Sequence, residues 1–371
     1  MGSKQVIVLH EWNGPAYFQA IDLEVRARTG APPLYREVWC IRQLAIGLVR
    51  RQPALVFRAL RNMVFFLQSF FLRDCVIVLG IAPFDPALLF WSRIRRSNSV
   101  VYHTSWSKWE GSEVPKRSLL LGGWARRRWK RFLEDPRVRV VSILSDSRVD
   151  MRKHYSKPES AFTTIPHAVD MEVFRPGAPR PAVDNPEEPL RVLYLGRLNP
   201  VKGIDVVADL IAKADPRRFR FGVAGDGPEW FRLEPLKGRF EYFGMVAAKR
   251  EVARILADHD VLILPSYSEL FGLALIEAMA CGVVCIASDG LSPKSLVLNG
   301  ENGFIVKRST EAFLETLERL HADRSLLRRM REQGFARVKE FGMESIRSKW
   351  RGVLWGPEDG KPPAGSGPVT P

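Results

Sequence analysis

Residues 260–282 read DVLILPSYSELFGLALIEAMACG. Val261 to Leu264 is an unbroken apolar run, the pattern of a strand buried on both faces of a parallel sheet. Pro265 ends it, because proline cannot donate to the ladder. Ser266 to Phe271 then form a loop, and Gly272 opens a helix. Glu269 stands at the helix entrance and Glu277 lies eight residues on. At 3.6 residues per turn that is a little over two turns, so the two carboxylates share nearly one face. Such a pair can accept hydrogen bonds from a polyol. The first amides of a helix have no intrahelical partner, so Gly272 and Leu273 offer N–H groups suited to a phosphate. The same residues also allow a plainer account, in which Glu269 caps the helix and Glu277 is an ordinary salt-bridged helix residue.

Working outward, β-rich apolar runs alternate with amphipathic helical stretches, the order of an α/β protein with parallel sheets. In the first half the expected strands are Val6–Leu9, Cys75–Leu79, Val100–His103, Val138–Ile143 and Ala161–Ile165. A long helical stretch is expected from about Arg36 to Leu72, broken near Pro53, and another from Ser118 to Glu134. In the second half the expected strands are Leu190–Leu195, Arg218–Val223, Phe240–Phe243, Val261–Leu264, Val283–Ala287 and Gly303–Val306. The chain has 371 residues, which suits two domains. The expected division is a Rossmann-like domain over 1–168, a linker over 169–189, a second Rossmann-like domain over 190–341, a returning helix over 342–355 and a disordered tail over 356–371. The proline-rich run Arg175–Pro189 marks the linker.

Two further loops follow strand ends of the second half. In VLYLGRLNPVKGID, Gly196 ends the strand, Arg197 and Lys202 flank Pro200, and Gly203 precedes a helix. Two cations on such a loop can neutralise a pyrophosphate, since ligands of open parallel sheets sit beyond the carboxyl ends of the strands; they equally suit a solvated surface loop. In FGVAGDGPE, Gly225, Asp226 and Gly227 allow either a sharp turn or a close approach to a ligand. Neither a G-x-G-x-x-G fingerprint nor a Walker loop occurs, which removes the common dinucleotide and P-loop readings.

Taken together, IPHAVDMEVFRP, YLGRLNPVKGID, AGDGP, the E-x7-E segment and NGENGFIV at 299–306 resemble the group 1, glycogen-synthase-like glycosyltransferases of the GT-B fold. The likeness runs in order and spacing from Ile165 to Val306 and extends in its helices to about Trp350. It implies two doubly wound α/β domains facing across a cleft. The implied activity is transfer of a sugar from a nucleoside diphosphate, with retention at the anomeric carbon. It further implies that Arg197 and Lys202 stabilise the leaving diphosphate and that Glu269 binds sugar hydroxyls. Phe271, Gly272 and Leu273 would present backbone amides, and Glu277 would hold the ribose. Gly196, Gly225, Asp226, Gly227 and Ser266 fall on the donor side. A histidine often stands where His103 ends the strand of VVYHTSW; Gly14 in HEWNGPAY stands where the family has a glycine-rich loop, and His10 and Glu11 close the first strand beside it. No cofactor and no metal is implied beyond the nucleotide-sugar itself.

The chain departs from the family pattern at Val284, at His167-Ala168 and over Asp289–Lys294, where a glycine-rich donor loop is usual. Asp258-His259-Asp260 has the D-x-D form of a metal motif, but it falls where a helix ends and a buried strand begins. Cys281 and Cys285 lack the neighbours of a zinc site and read as small core residues.

The formal net charge is +15. Residues 1–168 hold 27 basic and 13 acidic side chains, giving +14; the remainder holds 29 and 28, giving +1. The excess therefore lies in the first half, where arginines punctuate a Phe-rich stretch and ARRRWKR at 125–131 interleaves tryptophan with cations. This composition predicts a surface that lies on anionic lipid. The expected acceptor is glycan or lipid-linked, and the expected place is cytoplasmic, peripheral on the inner face of the membrane. Four cysteines fit a reducing compartment, and Met1–Leu9 lacks the form of a secretory signal. The competing readings are a sugar-nucleotide epimerase of the same fold and a basic nucleic-acid-binding protein. The second lacks a recognisable module and leaves the E-x7-E helix unexplained, so no nucleic-acid partner is expected.

Overall fold

A computed structural model describes residues 4–10, 18–38, 40–81, 94, 96–104, 122–177, 185, 187–269, 271–289 and 291–356. The strands are β1 (Gln5–His10), β2 (Leu34–Glu37), β3 (Cys75–Gly80), β4 (Ser99–Thr104), β5 (Val138–Ser142), β6 (Phe162–Thr164), β7 (Leu190–Leu195), β8 (Phe219–Ala224), β9 (Phe240–Gly244), β10 (Val261–Leu264), β11 (Val284–Ser288) and β12 (Gly303–Val306). The α-helices are α1 (Gln19–Thr29), α2 (Cys40–Val49), α3 (Pro53–Ser69), α4 (Gly122–Glu134), α5 (Ser145–His154), α6 (Ile204–Lys213), α7 (Lys249–Ala257), α8 (Leu273–Ala280), α9 (Leu291–Leu296), α10 (Thr310–Ala322), α11 (Arg324–Val338) and α12 (Met343–Trp355).

The strands form two six-stranded sheets, ordered β2-β1-β3-β4-β5-β6 and β12-β11-β10-β7-β8-β9, and every recorded pairing is parallel. Strands covered on both faces must be apolar throughout, and Val6 to Leu9, Val76 to Leu79 and Val261 to Leu264 are all buried. Counted from β7, the second sheet has the doubly wound order 3-2-1-4-5-6. Its direction reverses between β7 and β10, where Val261 to Ile263 pair with Val192 to Tyr194. The crevice for a ligand in such a sheet lies beyond the carboxyl ends of those two strands.

The chain divides into two units, residues 1–166 with 346–371, and residues 167–345. Most of α12 therefore belongs to the first unit. There the Arg351 guanidinium grips the buried Glu24 carboxylate (3.0 and 3.1 Å), and Arg139 donates to the Val353 carbonyl (2.7 Å). In the second unit, Val169 donates to the Phe341 carbonyl (2.9 Å) and Phe174 is buried. Much of the proline-rich run (178–184 and 186) and the tail from 357 onward lie outside the described residues.

Two elements differ from the sequence expectation. The helix expected from Arg36 starts at Cys40, because Leu34 to Glu37 instead pair with Ile7 to His10 as an edge strand. The break expected near Pro53 falls at Arg50–Gln52, and Pro53 opens α3, where its missing N–H costs no hydrogen bond.

Gly203 joins the β7 loop to α6 with φ 73°, and a Cβ there would run into the Pro265 carbonyl. Only glycine satisfies both conditions. Gly203→Ala should destabilise the second unit by about 2 kcal/mol or more. A denaturation midpoint equal to that of the parent would contradict this contact.

Candidate active site

The loop after β7 is tied down by its backbone. The buried Tyr194 hydroxyl donates to the Arg197 carbonyl (2.9 Å), and Leu198 donates to the Asp226 carbonyl (2.9 Å). Tyr267, beyond the end of β10, donates to the Val201 carbonyl (2.8 Å). These bonds bring the two loops of the switch point together. Their meeting places the Lys202 Nζ 2.6 Å from Glu269 Oε2, with the two side chains only 18% and 15% exposed. The Arg197 guanidinium is exposed one turn earlier in the same loop. Burial, with the nearby Glu269 carboxylate adding to it, raises the Tyr194 phenol well above its ordinary range.

The loop from β10 is clamped a second time. The Ser288 hydroxyl at the end of β11 reaches the Leu264 and Ser266 carbonyls (3.2 and 2.8 Å). Ser266 is buried, and its own hydroxyl has no hydrogen-bond partner among the described residues; the same holds for the Asn199 Oδ1. Buried polar atoms are normally paired, and these two stand on the loops that follow β10 and β7.

Helix α8 starts at Gly272, whose φ of 86° is left-handed, and no side chain caps it. Leu273 is exposed beside it. The helix's first amides therefore have no side-chain acceptor at the cap. Phe271 is not a ligand-facing ring: it is buried edge-on against His167 (5.0 Å) and against Phe341 (6.3 Å). Its side chain anchors the turn, which leaves only its backbone for the amide role expected from the sequence. Burial holds the His167 imidazole down at about 4, so it is neutral at pH 7.

Glu277 is half-buried on the same helix, and no ion pair or hydrogen bond engages its carboxylate among the described residues. Desolvation pushes it up to about 7, opposed by the more distant Lys249 cation. The plainer account of the two acids thus fails in its details. Glu269 pairs with Lys202 rather than capping α8, and Glu277 is not salt-bridged.

Gly225 and Gly227 serve the protein's own backbone. A Cβ on Gly225 would strike the Gly196 carbonyl, and one on Gly227 the Leu198 carbonyl. The glycines let the β8 loop lie against the β7 loop, so they shape the floor under Gly196 and Arg197. The exposed Asp226 accepts from the Gly227 amide (2.7 Å).

His103 belongs to the first unit, buried with its ring near Phe18 (5.8 Å) and Trp350 (5.5 Å). It is not among the residues that the second sheet brings together. His10 is buried in the same unit beside Phe18 and Tyr35, and burial lowers its pKa. Glu11 and Gly14 lie outside the described residues. Asp260 is buried, accepts from the Arg191 amide (2.9 Å) and pairs with Arg331 (3.8 Å). His259 bonds the Ile255 carbonyl of α7 (2.7 Å), so these two members of the D-x-D string make contacts within the fold. Cys281 and Cys285 are buried thiols, with Cys281 raised to about 12. In the segment that departs from the family pattern, α9 starts at Leu291, and Lys294 pairs with Asp289 (2.6 Å). Sequence reasoning missed Tyr194, Asn199 and Ser288. Tyr194 alone left a signal, as a phenol in the buried stretch Val192–Tyr194 of β7.

Residues 179–337 match the family model described as "Glycosyl transferases group 1". A D-inositol 3-phosphate glycosyltransferase of Streptomyces bingchenggensis is 29% identical over 229 residues, covering 56% of this chain and 50% of that protein. A second, from Catenulispora acidiphila, is 31% identical over 191 residues, covering 46% and 45%. The chain thus spans about half the length of these relatives. Among solved structures, Anabaena HepE in complex with UDP and glucose superposes with a TM-score of 0.70 at 16% identity, covering 95% of this chain and 99% of that one. Sucrose-phosphate synthase of Thermosynechococcus elongatus gives 0.71 at 19% identity, covering 94% and 98%. Those likenesses show the fold, a two-domain α/β fold of the GT-B class.

The Glu277 carboxyl titrates from an ordinary 4.5 up to about 7 on folding. The folded state then holds a proton that the unfolded chain has already lost, so stability falls as pH rises between those values and levels off above. The melting temperature of the parent relative to Glu277→Gln should decline across that window. A pH-independent difference would contradict the burial of an unpaired acid.

Proposed function

We propose that this chain, which belongs through residues 179–337 to the group 1 glycosyltransferases, moves a sugar from a nucleoside diphosphate to an acceptor hydroxyl with retention at the anomeric carbon. The observation that carries the reading is the Lys202–Glu269 contact at the switch point of the second sheet, beside the uncapped start of α8. In the reaction the bond between the anomeric carbon and the diphosphate oxygen breaks, and its electron pair goes to the diphosphate. A new bond forms from the acceptor oxygen to the anomeric carbon, and the acceptor proton passes to the departing phosphate. Charge builds on the leaving group, so groups fixed in place to receive it contribute most.

Lys202 and Arg197 supply two cations for that charge, and the amides of Gly272 and Leu273 supply aligned dipoles. Glu269, held by Lys202, accepts hydrogen bonds from the sugar. Glu277, about one turn along α8, accepts them from the ribose. Binding a pair of hydroxyls favours its ionised form, which gives an acid poised near 7 a way to couple to the nucleotide. Ser266 and Asn199 bring the remaining polar atoms. These groups meet the charge of the diphosphate without calling on a metal.

The relatives named for D-inositol 3-phosphate and the HepE complex with UDP and glucose support a nucleotide-sugar donor and a polyol-like acceptor. The +14 charge of residues 1–168 favours an anionic acceptor, and we read it as lipid-linked or glycan, taken at an anionic membrane surface on the cytoplasmic side. No described helix is long and apolar enough to cross a membrane.

A donor should raise the melting temperature, since a ligand at 100 times its dissociation constant adds about 2.7 kcal/mol. Screening UDP-, GDP- and ADP-sugars identifies it. Lys202→Ala and Glu269→Ala should each lower transfer by about a hundredfold or more and remain folded. Near-parental turnover in both would remove the assignment, and loss of donor with no transfer to any acceptor would favour an epimerase instead.

A further inference from the structure

Helix α3 is inside out. Its inner face carries Ala59, Asn62 and Ser69, all buried, with Phe66 and Phe70 half-buried against the first-unit core. Its outer face carries Phe57, Leu60, Val64, Leu67 and, just past the helix end, Phe71, all exposed. The spacing of these five is 3, 4, 3 and 4 residues, which at 100° per residue confines them to an arc of about 80°. The end residues are the most open, Phe57 at 70% and Phe71 at 72%. A stripe of this kind on a water-facing helix is not incidental exposure of single residues.

The hairpin that presents α3 extends the stripe. A Cβ on Gly47 would collide with Val56, so glycine lets α2 and α3 close on each other. The turn then exposes Leu48 and Val49 next to Arg50 and Arg51. From Val38 to Arg73 there is no acidic residue, whereas Arg42, Arg50, Arg51, Arg58, Arg61 and Arg73 are spread along it. Arg61 borders the stripe. Arg58 stands farther round, bound to Glu37 (2.6 Å).

We propose that the outer face of α3 and the α2–α3 turn form the surface by which this chain lies on an anionic lipid bilayer. The inference rests on the membrane part of the preceding proposal and deepens it by naming the contact. Apolar side chains at this spacing insert below the headgroups, while arginines beside them meet lipid phosphates. The helix has 17 residues and carries two arginines within it, so it lies in the interface rather than spanning it. A second copy of the chain is the less suitable occupant. Two such stripes facing each other would bring arginines together with no acidic residue in the segment to pair with them.

The test is co-sedimentation of the full chain with phosphatidylcholine vesicles, with and without phosphatidylglycerol, at low and high salt. The parent should bind the phosphatidylglycerol vesicles preferentially, and salt should weaken that binding. The doubly substituted Phe57→Ser, Phe71→Ser chain should lose at least about tenfold in partitioning. Both positions are exposed, and an unchanged donor-induced melting shift confirms that the variant is folded. Equal binding by parent and variant, or salt-insensitive binding to neutral vesicles, would overturn the proposal. So would a parent that ignores vesicles and dimerises through this stripe. In the parent chain, no vesicle binding with the donor shift present would remove the docking surface alone, and no donor shift with vesicle binding present would remove only the catalytic reading.

Discussion

A lysine and a glutamate 67 residues apart in sequence meet at 2.6 Å because two parallel strands, β7 and β10, lie side by side and end together. The functional reading of the second unit depends on that meeting. Holding two opposite charges with less than a fifth of either side chain exposed is costly, and such a pair is weak support for stability by itself. Its position explains it better. The pair stands at the reversal of strand order, where ligands of doubly wound sheets bind, and beside an uncapped helix start. Under the proposed function, a diphosphate arriving there would meet a cation already held in place.

The surrounding backbone is built to keep it so. Gly203 lets the β7 loop press against the Pro265 carbonyl, and Gly225 and Gly227 let the β8 loop press against the β7 loop from the other side. Tyr194 and Ser288 spend their hydroxyls on loop carbonyls. Phe271, wedged between His167 and Phe341, fixes the turn before α8. Preorganisation of this sort matters most when a charge develops during reaction, since the groups that receive it need not reorganise.

Much of the fold was legible in the sequence because parallel strands buried on both faces must be written as continuous apolar runs. Val261–Leu264 was read to the residue, and the strand expected at Val283–Ala287 runs Val284–Ser288. The edge strand β2 was not legible: LYRE is half-buried and short, and only its register against β1 makes it a strand. At the site, the sequence expectation set Glu269 and Glu277 on one helix face, but only Glu277 lies on α8, because Glu269 falls in the loop before the left-handed Gly272. Glu269 finds its lysine through tertiary pairing, and Glu277 finds none, so burial raises it to about 7. In the same way the arginine and phenylalanine content of α3 was plain from composition. Which face would be left in water depended on Ala59, Asn62 and Ser69 packing inward, and no local rule dictates that.

The most direct measurement of the central claim is a crystal structure of the chain soaked with a nucleoside diphosphate sugar. The account predicts the diphosphate between the Lys202 ammonium and the Leu273 amide, with the sugar hydroxyls on Glu269 and the ribose on Glu277. A donor bound elsewhere, with Lys202 and Glu269 still joined only to each other and Glu277 still unengaged, would contradict it.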